Sequence, residues 1–369
     1  MHSIGLKKLV NITRREAPCL KVSSKNGEKA LRLANKLALT ERKLTIEKDH
    51  TNSLCIPLNR EPKENELFFL KSEIPELKMT TRTFSEKNKH PQTLAEILKN
   101  ELPPHLLEVL PRALDIVGDI AIIEIPLKLE THKHVIGSAI LKTYKNIKTV
   151  LAKAGPINGT YRLRKFEFIA GEQKTETLHK EYGCSYFVDV AKAYFSPRLS
   201  HEHNRVASLV QKGEIVVDLF AGVGPFAVLI AKKHPDSKVY SVDINFDAIA
   251  LLEKNARLNR VENRVYPLVG DAHQVVNDKL GGIADRVIMN LPETATEFID
   301  AACKALRLTG GIVHFYGFTR FHEGIVDLKN QFSDAVEKAG RKVELFSYAK
   351  SVRETAPHEC QVVLDAKIR

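Results

Sequence analysis

From about residue 200 to the C-terminus, short apolar runs alternate with longer amphipathic segments. EIVVDLF, KVYSVDI, RVYPLVG, RVIMNL and GIVHFYGF each hold one strand's worth of apolar positions. Segments of roughly 10–15 residues with apolar positions at helical spacing separate them. This alternation predicts a parallel sheet with helices on both faces, an α/β fold.

The first half is patterned differently. Residues 19–80 read as a small α/β unit. CLKVS is a strand, and GEKALRLANKLAL, opening at Gly27, is a helix. Further short strands are expected at KLTIEK, SLCIPL and LFFLK. Residues 80–92 (TTRTFSEKNKHPQ) are polar, carry Pro91 and read as a linker. Thr93 is placed to cap a helix LAEILKNEL, with Glu96 three residues on as a capping box and Pro103-Pro104 as its stop. GDIAIIEIP (118–126) is a buried strand, and TYKNIKTVLAKAG is expected to be a helix ending at Gly155. YRLRKFEFIAG alternates as a strand does, with Arg162 and Arg164 on one face and Leu163 and Lys165 on the other. TLHKEYGCSYFVDV reads as a hairpin turning near Gly183.

A length of 369 residues suggests two or three domains. With 43% hydrophobic and 27% charged residues, the chain is a folded protein and not a disordered one. No apolar run approaches the ~20 residues of a membrane-spanning helix. The five cysteines (Cys19, Cys55, Cys184, Cys303 and Cys360) are scattered and form no C-x-x-C, which argues against a zinc ribbon or a disulfide framework. Reduced thiols in a cytoplasmic protein are expected. Residues 1–17 are basic but lack the apolar core of a secretory signal, leaving an ordinary tail or an organelle-targeting segment. The net charge of +11 is uneven. Residues 1–90 hold 19 Lys/Arg against 11 Asp/Glu, residues 91–180 hold 13 against 10, and residues 181–369 hold 24 of each. The positive excess therefore lies wholly in the first half, as a polyanion-binding surface or as solvated basic surface.

The strand IVVDLF runs into AGVGPFAVLIAKK. Gly222 and Gly224 make a tight turn, Ala227 takes the third place of a G-x-G-x-x-G/A pattern, and a helix follows. Asp243 ends the next strand, where an acid can hold the two hydroxyls of a ribose. That spacing alone does not separate NAD from S-adenosylmethionine (AdoMet). Three features favour AdoMet. Asp218 lies four residues before Gly222 in DLFAGVG, the D-x-F-x-G-x-G form of class I methyltransferases, which includes Phe220. Asp271-Ala272 follows the third strand, where such enzymes hold adenine. Asn290-Leu291-Pro292 ends the fourth, resembling the (D/N)-P-P-(Y/F) motif that meets the acceptor base.

AYFSPRLSHEHNRV (193–206), DLFAGVGPFA and VIMNLPETATEFID, together with YRLRKFEFIAGEQKTETLHKEYG (161–183), resemble the archaeal and eukaryotic tRNA (guanine-37-N1)-methyltransferases. PCLKVSSKNGEKALRLANKL resembles the small N-terminal domain of the archaeal members. The resemblance runs from about residue 17 to the C-terminus. It implies a Rossmann-like class I methyltransferase domain at 181–369. Two smaller N-terminal α/β (α+β) domains are implied as well, a basic tRNA-binding part at 1–85 and a middle part at 90–180. It further implies AdoMet as cofactor, tRNA as partner through its elbow and anticodon loop, and a monomer. Related enzymes also methylate a wyosine-pathway intermediate at the same position. An NAD-dependent oxidoreductase and a non-catalytic RNA-binding protein are the rival classes.

Guanine N1 carries a hydrogen and is a poor nucleophile, so methylation there needs a base for that proton and a donor for charge on O6. No metal is required, because AdoMet brings an activated methyl group. By the resemblance, Glu202 in SPRLSHE is the general base, although a carboxylate in the first turn of a helix also favours the helix dipole. Arg162 would contact O6, Asn290 would orient the guanine edge, and Tyr194 would pack on the base or in the core with Phe195. Asp218, Phe220, Gly222, Gly224, Asp243, Asp271, Ala272 and Asn290 would hold the cofactor. His203 stands where archaeal relatives commonly have Arg, and Arg205 keeps its place. Lys350 and Arg353 in the C-terminal segment are phosphate contacts or surface charge.

Overall fold

The computed structural model describes residues 14–49, 51–86, 93–111, 113–320, 324–356 and 358–369. The chain divides into two units, Met1–Gln92 and Thr93–Arg369.

In the first unit, β1 (Arg14–Ser23), β2 (Glu47–Lys48), β3 (Ser53–Pro57) and β4 (Lys78–Ser85) form an antiparallel sheet ordered β2-β3-β1-β4. On one face, Leu20, Val22 and Ile56 pack with Ala30, Leu33 and Ala34 of α1 (Gly27–Lys36) and Leu70 of α2 (Glu64–Glu73). On the other, Cys19, Cys55 and Phe84 join Ala17 and Leu44. Three expectations are corrected here. LFFLK is helical, not a strand: the Lys63 amide donates to Glu66 and opens α2, and only Leu70 of that run is fully buried. A four-residue apolar run cannot show its period on its own. The supposed linker is β4 as far as Ser85, because alternation buries Phe84 under an otherwise polar strand. Residues 14–17 of the expected tail belong to β1, whereas Pro91 and residues 1–13 lie outside the described residues.

The second unit opens with α3 (Leu94–Leu98), where Thr93 Oγ1 accepts from the Glu96 amide at 3.3 Å, and α4 (Pro104–Leu107). Strands β5 (Leu114–Val117), β6 (Ile120–Ile123), β7 (Thr149–Asn158) and β8 (Leu163–Gly171) pair in sequence order. The β6–β7 pair is parallel, joined through α5 (Lys133–Thr143). Residues 149–155 are therefore strand, not helix. Val150 and Ala152 face one core and Leu151 faces another, so both faces of β7 are covered and the alternation disappears from the sequence. Arg162 precedes β8 instead of lying within it. It holds a left-handed φ of +54°, and its amide donates to Gly159 O at 2.9 Å.

β9 (Glu176–Glu181) and β10 (Cys184–Asp189) form the expected hairpin at Gly183, and this hairpin spans the expected boundary at 180/181. The large sheet takes β11 (Ile215–Asp218), β12 (Lys238–Asp243), β13 (Val265–Val269), β14 (Arg286–Met289), β15 (Gly311–Thr319), β16 (Val343–Ala356) and β17 (Glu359–Ile368) in the order β13-β12-β11-β14-β15-β17-β16. It is parallel through β15, and β17 and β16 add antiparallel, so the sheet is mixed. On one face pack α6 (Ser200–Leu209), α7 (Pro225–Lys233) and α8 (Phe246–Leu258). On the other pack α9 (Ala272–Val275), α10 (Ile299–Ala305) and α11 (Gly324–Lys338). Strand order reverses at β11, and a crevice opens there at the carboxyl ends of the strands. The five cysteines are buried free thiols. No helix among the described residues is long and apolar enough to cross a membrane.

Candidate active site

The loop after β11 forms one wall of a cavity of about 330 Å³ at that switch point. Gly222 and Gly224 have φ of +52° and +86°, conformations open to glycine at low cost. A Cβ on Gly224 would lie 2.8 Å from Leu252 Cγ of α8. The loop is fixed from both sides. Asp243 Oδ2 accepts from the Gly222 amide at 2.7 Å, and Asn255 Nδ2 donates to Val223 O at 3.0 Å. Asn255 also bonds both backbone groups of Phe187, tying α8 and the loop to β10.

Phe220, Gly222, Asp243, Asp271, Ala272 and Asn290 all line this cavity, as the motif spacing requires. Asp271 caps α9 by accepting from the Gln274 amide. Burial raises the Asp243 carboxyl although the Asn245 and Gly222 amides counteract it. Asp218 is placed differently. It is fully buried beneath the loop, and its Oδ2 has no hydrogen-bond partner. Burial pushes this carboxyl up to about 7, opposed by the Phe220 amide and assisted by Asp243. Asp218 is not among the residues that line the cavity, so it acts on the loop through the Phe220 amide, 3.3 Å from its Oδ1. Phe298, unmarked in the sequence, also lines the cavity, edge-on to Phe220 at 5.1 Å and stacked on His273 at 4.7 Å.

A second cavity of about 310 Å³ shares Arg162, Tyr194, Phe195, Ser196 and Glu293 with the first. Lys153, Arg164, Arg198 and Arg353 line it, with Asp115, Glu354 and Glu359 as counter-charges. At the junction the Arg162 guanidinium lies 5.3 Å from the Tyr194 ring centroid and 3.1 Å from Glu293. Its Nε is buried without a partner. Tyr194 therefore stands at the cavity, not in a core pair with Phe195. Arg353 is neither a free phosphate contact nor loose surface charge. It donates to the Tyr194 hydroxyl (3.2 Å), to Ser196 Oγ (2.9 Å) and to Gln361 Oε1 (2.9 Å), and Gln361 donates to Asn290 Oδ1 (3.3 Å). Tyr194 and Asn290 are thus braced from β16 and β17. The sequence marked neither Gln361 nor Glu293.

Glu202 is not among the lining residues of either cavity. It is buried, and Arg205 Nε lies 3.0 Å from each of its oxygens. The Tyr316 hydroxyl donates to Oε2 at 2.9 Å. Arg205 continues to Asp365 at 2.6 Å, and Asp365 to His314 at 2.6 Å. Burial would raise Asp365, but His314 and Arg205 hold it at about 2. The next residue on α6, His203, does line the first cavity.

The TRM5/TYW2 methyltransferase domain model matches residues 177–345, and the TYW2 N-terminal domain model matches residues 94–175. The tRNA (guanine(37)-N(1))-methyltransferase Trm5b of Pyrococcus abyssi is 38% identical over 95% of this chain and 98% of its own length. The chain belongs to the tRNA (guanine(37)-N(1))-methyltransferase family. The tRNA 4-demethylwyosine(37)-methyltransferase Taw21 of Saccharolobus solfataricus is 36% identical over 69% of this chain and 94% of its own. The crystal structure of Pyrococcus abyssi Trm5b has a TM-score of 0.71 at 36% identity, covering 95% and 99% of the two chains. That of aTrm5 in complex with tRNALeu has 0.66 at 32%, with the same coverage. M. jannaschii TYW2 in complex with AdoMet has 0.54 at 27% identity, covering 70% and 99%. The family membership fits the AdoMet-type spacing of the loop and not the oxidoreductase reading.

Proposed function

We propose that this chain transfers the methyl group of AdoMet to N1 of guanosine 37 in tRNA. The observation that carries the reading is the junction of the two cavities. A nucleoside-sized cavity with acids at the ribose and adenine positions, and with Asn290 in its lining, meets a basic cavity at Arg162 and Tyr194. The full-length match to a guanine-37 enzyme, against a shorter match to the wyosine-pathway relative, favours guanosine as the acceptor.

Asp243 accepts from the two ribose hydroxyls, Asp271 and Ala272 border the adenine with Phe220 and Phe298, and Asp218 acts from beneath the loop through the Phe220 amide. When bound, the cofactor supplies a methyl group activated by its sulfonium. The guanine enters from the basic cavity, a nucleotide that costs a few kcal/mol to unstack. Tyr194 stacks on it, Asn290 orients its edge, and Arg162 exchanges Glu293 for O6 as negative charge develops there. Glu202 is proposed as the proton acceptor on the strength of its motif. Reaching N1 then requires Arg205 and Tyr316 to release it, with Asp365 left to hold Arg205. The residues of 1–85 and of the middle part would carry the tRNA elbow and backbone, where the positive excess lies.

The test is transfer of labelled methyl from AdoMet to an unmodified tRNA transcript with guanosine at position 37, against an adenosine-37 control. Label on the first alone is the expected result. Label on both sinks the assignment of the target, and label on neither sinks the reading.

A further inference from the structure

A row of polar side chains crosses the large sheet behind both cavities, from Glu202 on α6 to Glu214 just before β11. Arg205, three residues after Glu202 on α6, divides its guanidinium between two acids. Its Nε lies 3.0 Å from each Glu202 oxygen and its Nη2 2.9 Å from Oε2. Its Nη1 donates to Asp365 Oδ2 at 2.6 Å and its Nη2 to Oδ1 at 3.2 Å. The Tyr348 ring of β16 covers the guanidinium at 4.4 Å. Asp365 stands opposite His314 across the β15–β17 pair, and His314 Nδ1 lies 2.6 Å from Asp365 Oδ1. Arg286 of β14 donates from Nη1 to His314 Nε2 at 2.7 Å. It also donates from Nε and Nη2 to Glu214 at 2.8 and 3.1 Å.

These bonds fix the charges. A guanidinium only donates, so His314 Nε2 carries no hydrogen, and Nδ1 holds the ring's one N–H and gives it to Asp365. His314 is therefore neutral. Burial keeps it below its ordinary range, although Asp365 opposes this. The row then sets three carboxylates, Glu202, Asp365 and Glu214, against two guanidiniums. Arg286 and Glu214 close one pair. Arg205 alone serves both Glu202 and Asp365, so this buried end is short of one positive charge, which is costly away from water. A proton arriving on Glu202 removes the deficit and leaves Arg205 and Asp365 as a closed pair. Among the described residues, the other titratable groups against Glu202 are Tyr316, whose hydroxyl donates to it at 2.9 Å, and the exposed His201 at 3.9 Å.

We propose that Asp365, locked by His314 and Arg286, is a positioning residue for proton removal: by holding Arg205 it keeps Glu202 out of a full ion pair and able to accept the proton of guanine N1. As N1 gains the methyl group it loses its hydrogen, that proton passes to Glu202, and the electron pair of the broken S–CH3 bond stays on sulfur. The inference deepens the reading of Glu202 as the base and rests on it.

Single-turnover methyl transfer by the full chain to the guanosine-37 transcript, followed across pH, tests it. Asp365→Asn leaves a neutral Glu202–Arg205 pair and keeps an acceptor for His314. Its rate should fall about 10- to 100-fold, the range of a lost charge-assisted hydrogen bond. The acid limb of its rate profile should move to lower pH, because Arg205 then turns wholly to Glu202. Affinities for AdoMet and tRNA should stay within about 2-fold. The double variant Arg205→Gln/Asp365→Asn removes one charge of each sign, and it should be no slower than Arg205→Gln alone, because Asp365 acts only through Arg205. An unchanged rate in Asp365→Asn overturns the proposal, as does a loss with the acid limb in place, which would mark a structural anchor. A double variant slower than Arg205→Gln overturns it too, and this comparison stands even where Asp365→Asn alone does not fold. Glu202→Gln in the same assay separates the two readings. A retained rate there removes the base and this inference with it, whereas a lost rate there beside a normal Asp365→Asn removes this inference only.

Discussion

Two carboxylates show how burial separates residues of the same type. Asp218 sits at about 7 because burial is opposed by one amide only. Between about pH 4 and 7 the folded chain holds a proton there that the unfolded chain has lost, so stability falls as pH rises through that window. Asp218→Asn should therefore stabilise the ligand-free protein at pH 8, by up to about 4 kcal/mol, read as a raised thermal midpoint. A midpoint that does not rise would mean the orphan oxygen carries no penalty. Glu202 is the opposite case, fully engaged by Arg205 and Tyr316. Glu202→Gln should lower methyl transfer by about 10²–10⁴ if the residue is the base. A lowered melting point with a near-normal rate per folded molecule would make it a structural anchor instead. Asp243, Asp271, Phe220 and Asn290 were legible in the sequence because each sits at a fixed offset from a strand end. Glu293 and Gln361 were not, because their partners Arg162 and Asn290 lie 131 and 71 positions away.

At the scale of elements, the glycine loop depends on two residues that are not equivalent. A Cβ at Gly222 meets only Tyr194 O at 3.5 Å, whereas one at Gly224 runs into Leu252. Gly222→Ala should cost about 1–2 kcal/mol for its left-handed backbone. Gly224→Ala should cost more and should loosen α7 against α8, as denaturant midpoints for the two variants will show. The terminal pair β16–β17 acts on the site through Arg353. Arg353→Ala frees Tyr194 and, through Gln361, Asn290. The expected result is a fall in kcat/KM for tRNA of about tenfold with AdoMet affinity unchanged, since the lost bonds amount to about 1–2 kcal/mol. A parallel loss of AdoMet affinity would show that the brace serves the cofactor side too. Elements with one covered face were read correctly, as in α1 and the β9–β10 hairpin. β7 and α2 were misread because continuous or very short apolar runs carry no period.

Across the whole chain, charge and chemistry are divided. Residues 1–180 hold the entire excess of +11, and the half that carries the glycine loop is neutral. Affinity for tRNA should therefore fall steeply and linearly with salt on logarithmic axes, while AdoMet affinity barely moves. A flat salt dependence for tRNA would contradict the assignment of the basic half to phosphate contacts.

The sequence by itself determined the order of strands and helices after residue 200, the glycine loop at the head of the crevice and the family. Each of these is written in local spacing, and local spacing is set by backbone geometry within a few residues. Only the tertiary structure decided that Glu202 is enclosed, that His203 faces the cavity, and that Arg162 and Glu293 meet at its mouth. A helix turn puts neighbouring side chains about 100° apart, so which of two adjacent residues meets a ligand depends on what packs against each face. That packing comes from strands far away in the chain.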